Sequence, residues 1–140
     1  MRFWDTSALV PLLVEEAASA KSRALFDEDS EMLVWWAAPV ECVSALARRH
    51  REGLISMTGV NESIARLQAL EPVLREVQPS ARVRDISIRL LRSHPLRAGD
   101  ALQLAAAILA AGDDPVALDF VSFDDRLAAA AQREGFTVAP

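Results

Sequence analysis

Four acidic residues spread along the chain have types and positions that suit joint chemistry: Asp5, Glu41, Asp100 and Asp124. Carboxylates gathered in one place repel one another, so such a cluster is stable only when a cation binds it or some acids stay protonated. All-oxygen ligands suit hard cations such as Mg²⁺ or Mn²⁺. Mg²⁺ keeps several waters when few carboxylates hold it, which leaves room for a phosphate oxygen and an attacking water. The set therefore indicates metal-assisted phosphoryl chemistry.

Each of these acids also has a purely structural explanation. Asp5 and Asp124 each follow a short apolar run, where an aspartate commonly caps the next helix. Glu41 and Asp100 lie in the first turns of predicted helices, where the helix dipole favours an acid. The combination is what indicates a site, because the carboxyl ends of parallel strands share one edge of a sheet, and ligands bind there.

Neighbouring polar residues refine this hypothesis. Ser7 and Ser122 each lie two residues from one of the strand-end aspartates and are predicted to donate hydrogen bonds that orient the ligands. Two further aspartates leave the last assignment open. Asp125 follows Asp124 directly but suits the first turn of the next helix, and Asp119 is a weaker candidate inside the predicted strand.

The elements that must position these side chains alternate between strand and helix. Such alternation predicts an α/β fold with a mostly parallel central sheet covered by helices on both faces. Residue 58 begins a helix that Pro72 kinks or stops. Predicted strands cover residues 2–4, 32–35, 76–78, 116–123 and 136–138, of which 76–78 is the weakest and 116–123 the clearest, and the other predicted helices cover 6–14, 18–27, 39–52, 80–93, 97–111 and 125–134.

Length and composition predict one domain over residues 1–140, since 140 residues with 51% hydrophobic and 25% charged side chains are typical of one globular unit. The single cysteine, Cys42, excludes an intrachain disulfide and favours a reducing compartment. No apolar run approaches the ~20 residues of a membrane span. The N-terminus imitates a secretory signal only weakly, because Asp5 and Pro11 interrupt it. We therefore expect a cytoplasmic protein.

Charge is distributed unevenly along the chain. The formal net charge is −5, yet the segment 48–97 carries ten arginines and only five acids, whereas the segments on either side of it are each acidic. An acidic pocket beside a basic surface for phosphates would produce this distribution, and so would solvated helix faces.

Other chemistries suit the sequence less well. A haloacid-dehalogenase-like phosphotransferase needs a second aspartate two residues after the first and a downstream lysine, but Ser7 and an early Lys21 stand here. A response-regulator receiver domain fails for the same lack of a late lysine. Cys42 has no obvious cation to activate it and is expected to be a small buried hydrophobic residue rather than a nucleophile.

The acidic motifs resemble those of PIN-domain ribonucleases, and among them the short VapC toxins of bacterial toxin–antitoxin pairs. The matching segments are residues 3–10 (FWDTSALV), 39–46 (PVECVSAL), 96–105 (LRAGDALQLA) and 120–127 (FVSFDDRL). The resemblance covers essentially the whole chain and implies a three-layer α/β/α fold. It also implies Mg²⁺- or Mn²⁺-dependent endonucleolytic cleavage of RNA. By that resemblance Asp5, Glu41, Asp100 and Asp124 are the catalytic and metal-binding acids.

The resemblance further implies partners. It predicts a homodimer, an RNA substrate and a cognate VapB-like antitoxin that lies along an apolar groove and covers the acidic pocket. Leu12, Leu13, Trp35 and Trp36 are candidate groove residues, although core or dimer contacts would explain them equally. The alternative function is a catalytically silent PIN fold that binds RNA or an antitoxin without cutting.

Overall fold

A parallel sheet forms the centre of the molecule. The computed structural model describes residues 1–139 and contains strands β1 (Arg2–Trp4), β2 (Met32–Trp35), β3 (Leu74–Val77) and β4 (Asp119–Val121). Their order across the sheet is β3-β2-β1-β4, and every neighbouring pair is parallel. All four strands therefore end at the same edge, which is the geometry that the strand-end aspartates require.

Helices connect the strands and cover the sheet. Their bounds are α1 (Thr6–Leu13), α2 (Ser19–Glu28), α3 (Ala38–Arg51), α4 (Met57–Leu70), α5 (Ala81–Ser93), α6 (Ala98–Ala110) and α7 (Asp125–Arg133). Two 3₁₀ turns, Glu71–Val73 and Pro115–Ala117, precede β3 and β4. No helix within residues 1–139 is long and apolar enough to cross a membrane.

The two faces of the sheet carry separate hydrophobic cores. Phe3 of β1 stacks on Phe120 of β4 and packs against α5, α6 and α7. The next residue, Trp4, points to the opposite face and packs with Val121 against α1, α3 and α4. Successive side chains of a strand alternate between faces, so this pattern buries both sides of the sheet. The three-layer α/β/α prediction is confirmed.

Two strand predictions were wrong in extent. β4 covers three residues rather than the whole segment 116–123, because its neighbour β1 has only three residues to pair with and residues 115–117 form a 3₁₀ turn. The predicted strand 136–138 makes a single bridge, between Phe120 and Val138, and is not a named strand.

The end of α4 follows the prediction made from Pro72. The helix stops at Leu70, Pro72 lies in the 3₁₀ turn, and Leu74 begins β3. β3 thus starts two residues before the predicted segment 76–78.

Candidate active site

Asp5 lies at the end of β1 and caps the N-terminus of α1. Its Oδ1 accepts hydrogen bonds from the Ser7 backbone nitrogen (2.6 Å), the Ser7 hydroxyl (2.6 Å) and the Ala8 backbone nitrogen (3.3 Å), and its Oδ2 accepts one from Ser122 Oγ (2.8 Å). The residue is only 3% exposed. Burial raises the pKa of Asp5 to about 6, and the hydrogen bonds from Ser7 and Ser122 only partly offset it.

Ser7 and Ser122 tie the ends of β1 and β4 together. Ser122 Oγ accepts a hydrogen bond from the backbone nitrogen of Asp124 at 3.2 Å while it donates to Asp5. Ser7 Oγ accepts one from the backbone nitrogen of Phe123 at 2.8 Å. The predicted serine contacts are therefore present, and they connect Asp5 to the loop that carries Asp124.

Glu41 reaches the same region from the first turn of α3. Its Oε2 accepts hydrogen bonds from Thr6 Oγ1 and Gln103 Nε2, both at 2.9 Å. Burial raises the pKa of Glu41, the two donated hydrogen bonds lower it, and the charge of Asp100 raises it further. The charge of Asp100 therefore acts on Glu41 across this region.

Three of the four predicted acids line one open cleft of about 650 Å³. Asp100, in the first turn of α6, has its pKa raised by burial and then by the neighbouring charge of Asp124. The remaining lining residues include three arginines and one further acid. The cleft is lined by Glu41, Arg48, Arg97, Gly99, Asp100, Asp124, Asp125 and Arg126.

The donor set of this cleft suits a hard divalent cation, since it consists of carboxylate oxygens. Glu41 Oε1 and Asp124 Oδ2 make no hydrogen bond to residues 1–139, whereas Asp124 Oδ1 caps α7 through the Leu127 backbone nitrogen (2.8 Å). Within those residues no three acidic, histidine or cysteine side chains are arranged as a ready-made metal site. The acids thus share a cleft without already enclosing an ion.

Asp119 and Asp125, the two further candidate acids, lie at different places relative to the cleft. Asp119 opens β4 beside Arg2, whose Nε lies 3.7 Å from its Oδ2, and so occupies the opposite edge of the sheet. The hypothesis that Asp119 joins the acidic cluster was wrong, because parallel strands place their amino ends away from the site. Asp125 lines the cleft from the first turn of α7 and is exposed.

The thiol of Cys42 is not a nucleophile in this structure. The side chain is fully buried, and burial together with the charges of Glu41 and Asp5 raises its pKa to about 12. Both histidines lie in other contacts. His50 Nδ1 is 3.1 Å from the Ile55 carbonyl oxygen, and His94 Nε2 is 2.6 Å from a Glu134 oxygen.

Sequence reasoning missed several residues of this region. Thr6 and Gln103 bind Glu41, while Arg97 and Arg126 line the cleft. The signal in the sequence was the spacing of these residues from the predicted acids. Gln103 follows Asp100 by three residues and therefore lies on the same face of the helix. Thr6 follows Asp5 directly.

The candidate groove residues lie in three different environments. Leu12 and Leu13 line a second, largely apolar cavity of about 290 Å³ between α1, α2 and α4, together with Phe26, Arg66, Ala69 and Leu70. Trp35 belongs to the core and is 5% exposed, which favours the core contact among its two explanations. Trp36 is 48% exposed and lies just before α3.

Comparison with known proteins agrees with this architecture. The family model described as the PIN domain matches residues 2–133. The chain therefore belongs to the PIN-domain family. Ribonuclease VapC45 and Ribonuclease VapC49, each from a strain of Mycobacterium tuberculosis, are both 32% identical to it over 138 residues, which is 99% of this chain and 94% of each relative.

Solved structures with low sequence identity share the fold. The structure of VapC20 from Mycobacterium tuberculosis, described as a sarcin–ricin loop cleaving toxin, has a TM-score of 0.72 at 19% identity, covering 98% of this chain and 97% of that one. FitAcB from Neisseria gonorrhoeae gives 0.72 at 17% identity, covering 100% and 97%. A toxin–antitoxin complex from Klebsiella pneumoniae gives 0.64 at 18% identity, covering 91% of each chain.

Proposed function

We propose that this protein is a metal-dependent endoribonuclease, the toxin of a toxin–antitoxin pair. The observation that carries the proposal is the cleft in which Glu41, Asp100 and Asp124 converge, with Asp5 bonded beside it. Its relatives of 32% identity are named ribonucleases. The raised pKa values of Asp5, Glu41 and Asp100 are typical of a functional cluster whose charges a bound cation would offset.

Asp5, Glu41, Asp100 and Asp124 would hold Mg²⁺ or Mn²⁺. When bound, such an ion activates a water for attack on a phosphodiester and stabilises the negative charge that develops on the phosphate. The protein's own part is to hold the carboxylates in place. Ser7 and Ser122 fix Asp5, while the backbone of α7 fixes one oxygen of Asp124.

The arginines of the cleft would bind the RNA backbone. Arg48, Arg97 and Arg126 are exposed, and their guanidinium groups suit bidentate contacts with phosphate. Arg97 precedes α6 and Arg126 lies in the first turn of α7, so both flank the acids at the same end of the sheet. This mixture of acids and arginines favours a substrate that carries phosphates on both sides of the reacting one.

The groove between α1, α2 and α4 is proposed as the antitoxin site. Its lining is apolar apart from Arg66, whose Nη1 donates to the Leu13 carbonyl oxygen at 2.8 Å. One of the structures with this fold is itself a toxin–antitoxin complex. Ala69→Arg would fill the groove, and we expect it to abolish neutralisation by the cognate antitoxin while RNA cleavage persists. Neutralisation as in wild type would contradict this site.

A second copy of the chain is proposed to cover the outer face at the start of α3. Trp36, Val40 and Val43 are exposed there at helical spacing. Light scattering on wild-type protein should give the mass of a dimer, and the double variant Trp36→Ser, Val40→Asn should shift it toward the monomer. Val116→Asn, at a residue exposed elsewhere, is the matched control. A wild-type monomer would count against the dimer.

Cleavage of an RNA pool by purified protein tests the proposal against a fold that only binds. We expect discrete fragments in Mg²⁺ or Mn²⁺, none in EDTA, and none with an identically purified Asp5→Asn preparation. If that variant cuts like wild type, the activity belongs to a contaminant. If wild type binds RNA and never cuts it, the binding-only alternative replaces the nuclease.

A further inference from the structure

Gln103 and Thr6 converge on one oxygen of Glu41, and we propose that they are positioning residues that hold this carboxylate for the metal ion. The inference rests on the proposed function. Gln103 comes from the second turn of α6, Thr6 is the first residue of α1, and Glu41 lies in the first turn of α3. The contact therefore joins three helices at the cleft.

The three side chains form a closed set of hydrogen bonds. Gln103 Nε2 lies 2.9 Å from Glu41 Oε2 and 2.9 Å from Thr6 Oγ1, so the amide nitrogen donates to both oxygens. Thr6 Oγ1 donates in turn to the same Glu41 oxygen at 2.9 Å. Glu41 Oε2 thus accepts two hydrogen bonds, which fixes the plane and direction of the carboxylate.

The amide of Gln103 has one orientation that satisfies Glu41. If the amide group were rotated by about 180°, its oxygen would face Glu41 Oε2, and the two oxygens would repel each other. In the observed orientation Gln103 Oε1 is buried and has no hydrogen-bond partner among residues 1–139. A methionine would fill this 2%-exposed position without burying an unpaired oxygen. Packing alone therefore does not explain a glutamine here, whereas its donation to Glu41 does.

The arrangement leaves the other Glu41 oxygen available. Oε2 is occupied by the two donors, and Oε1 makes no hydrogen bond within the described part of the chain, while Glu41 lines the cleft. Gln103 lies one helical turn after Asp100 on the same face of α6, so this helix supplies one acid and orients another. Removing partners of this kind around metal sites commonly lowers metal affinity by roughly 10–100-fold.

Mn²⁺ binding measured by calorimetry without RNA tests the inference. Gln103→Met keeps the side-chain length and loses the donor, and we expect its affinity for Mn²⁺ to fall by at least about 10-fold. Thr6→Val should weaken binding in the same direction, and Thr6→Ser, which keeps the hydroxyl, should bind nearly as wild type does. Thermal melting without metal checks folding, and if Gln103→Met does not fold, the Thr6 pair decides.

A matched control perturbs α6 without touching Glu41. Ser87 is buried on α5, and its hydroxyl contacts the Val83 and Ala101 carbonyl oxygens, the latter on α6. Ser87→Ala should bind Mn²⁺ as wild type does. Wild-type affinity in Gln103→Met and Thr6→Val, or an equal loss in Ser87→Ala, would overturn the positioning role. Wild-type protein that takes up no Mn²⁺, alone or with RNA, would instead overturn the proposed function and this inference with it.

Discussion

Asp5 shows most clearly that this site places function above stability. A carboxylate that is 3% exposed loses most of its hydration, and the four hydrogen bonds it accepts do not restore its ordinary pKa. An ordinary helix cap would be more exposed and would keep a low pKa. Capping of α1 alone does not offset this cost, and the proposed cation would offset it.

Replacing Asp5 with asparagine should stabilise the metal-free protein at neutral pH. The folded-state pKa of Asp5 is raised from 3.8 to about 6, so the folded chain binds its proton more tightly than the unfolded chain does. The contribution of Asp5 to stability therefore falls as pH rises between about 4 and 6, by on the order of 3 kcal/mol. In Asp5→Asn, Oδ1 still accepts from Ser7 and Ala8, and Nδ2 can donate to Ser122. We expect a melting temperature several degrees above wild type at pH 7.5.

The same melting experiment at pH 4 provides the control. There the wild-type carboxyl is largely protonated, so the advantage of Asp5→Asn should nearly disappear. An asparagine variant that is less stable than wild type at pH 7.5 in EDTA would show that the buried charge does not oppose folding.

At the level of elements, the strand ends were predictable and the contacts between helices were not. Asp5 and Asp124 follow apolar runs that the sequence shows directly, and parallel strands then bring them to one edge. The contact of Gln103 with Glu41 spans 62 residues and depends on how α6 packs beside α3, which no local pattern encodes. The strand predicted at 116–123 is too long because apolar and β-branched residues indicate burial rather than strand pairing. The paired length of β4 depends on its neighbour β1, which has only three residues.

An ion-pair cluster joins α5 to the end of α7 and gives a test at this scale. Glu134 accepts two hydrogen bonds from Arg89 (3.1 and 2.9 Å), and His94 Nε2 lies 2.6 Å away. Arg89 chiefly lowers the pKa of Glu134 below its usual 4.5, so this stabilisation is present above that pH and is lost as pH falls. Because Arg89 is half exposed and screened by solvent, we expect Glu134→Gln to cost only about 1 kcal/mol at pH 7.

Thermal unfolding at two pH values measures this effect. The difference between wild type and Glu134→Gln should be a few degrees at pH 7 and should shrink by about pH 3.5. Arg82→Gln breaks a pair with Asp113 in which both side chains are more than half exposed, and it should change little. Equal losses of melting temperature in the two variants would show that the partly buried Glu134 pair stabilises the fold no more than the exposed Arg82 pair does.

Across the whole molecule, the uneven charge of the sequence has a spatial counterpart. Acids from the segments before residue 48 and after residue 97 meet at one edge of the sheet. Arginines from the segment 48–97 and from α7 line the cleft around them. A net charge of −5 would repel RNA overall, so the proposed RNA binding would depend on this local arrangement. The net charge of the whole chain, taken alone, argues against a nucleic-acid substrate.

The salt dependence of RNA binding should identify the arginines that contact phosphate. In the Asp5→Asn background, which should not cut, Arg126→Gln should weaken binding and reduce the slope of log affinity against log salt by about 0.7 for single-stranded RNA. Arg133→Gln, at the exposed far end of the same helix, is the matched control and should leave the slope unchanged. Identical slopes in the two variants would remove Arg126 from the RNA-binding surface.

The most direct test compares Asp119, the first residue of β4, with Asp124, which lies three residues past the end of that strand. Asp124→Asn keeps the helix cap, since asparagine caps α7 equally well, but removes one acid from the cleft. Asp119→Asn removes an acid from the other edge of the sheet. In Mn²⁺-dependent cleavage of one RNA pool, we predict that Asp124→Asn loses at least about 100-fold in rate and that Asp119→Asn cuts as wild type does. Equal activity of the two variants, or greater loss in Asp119→Asn, would contradict the assignment of the cleft as the active site.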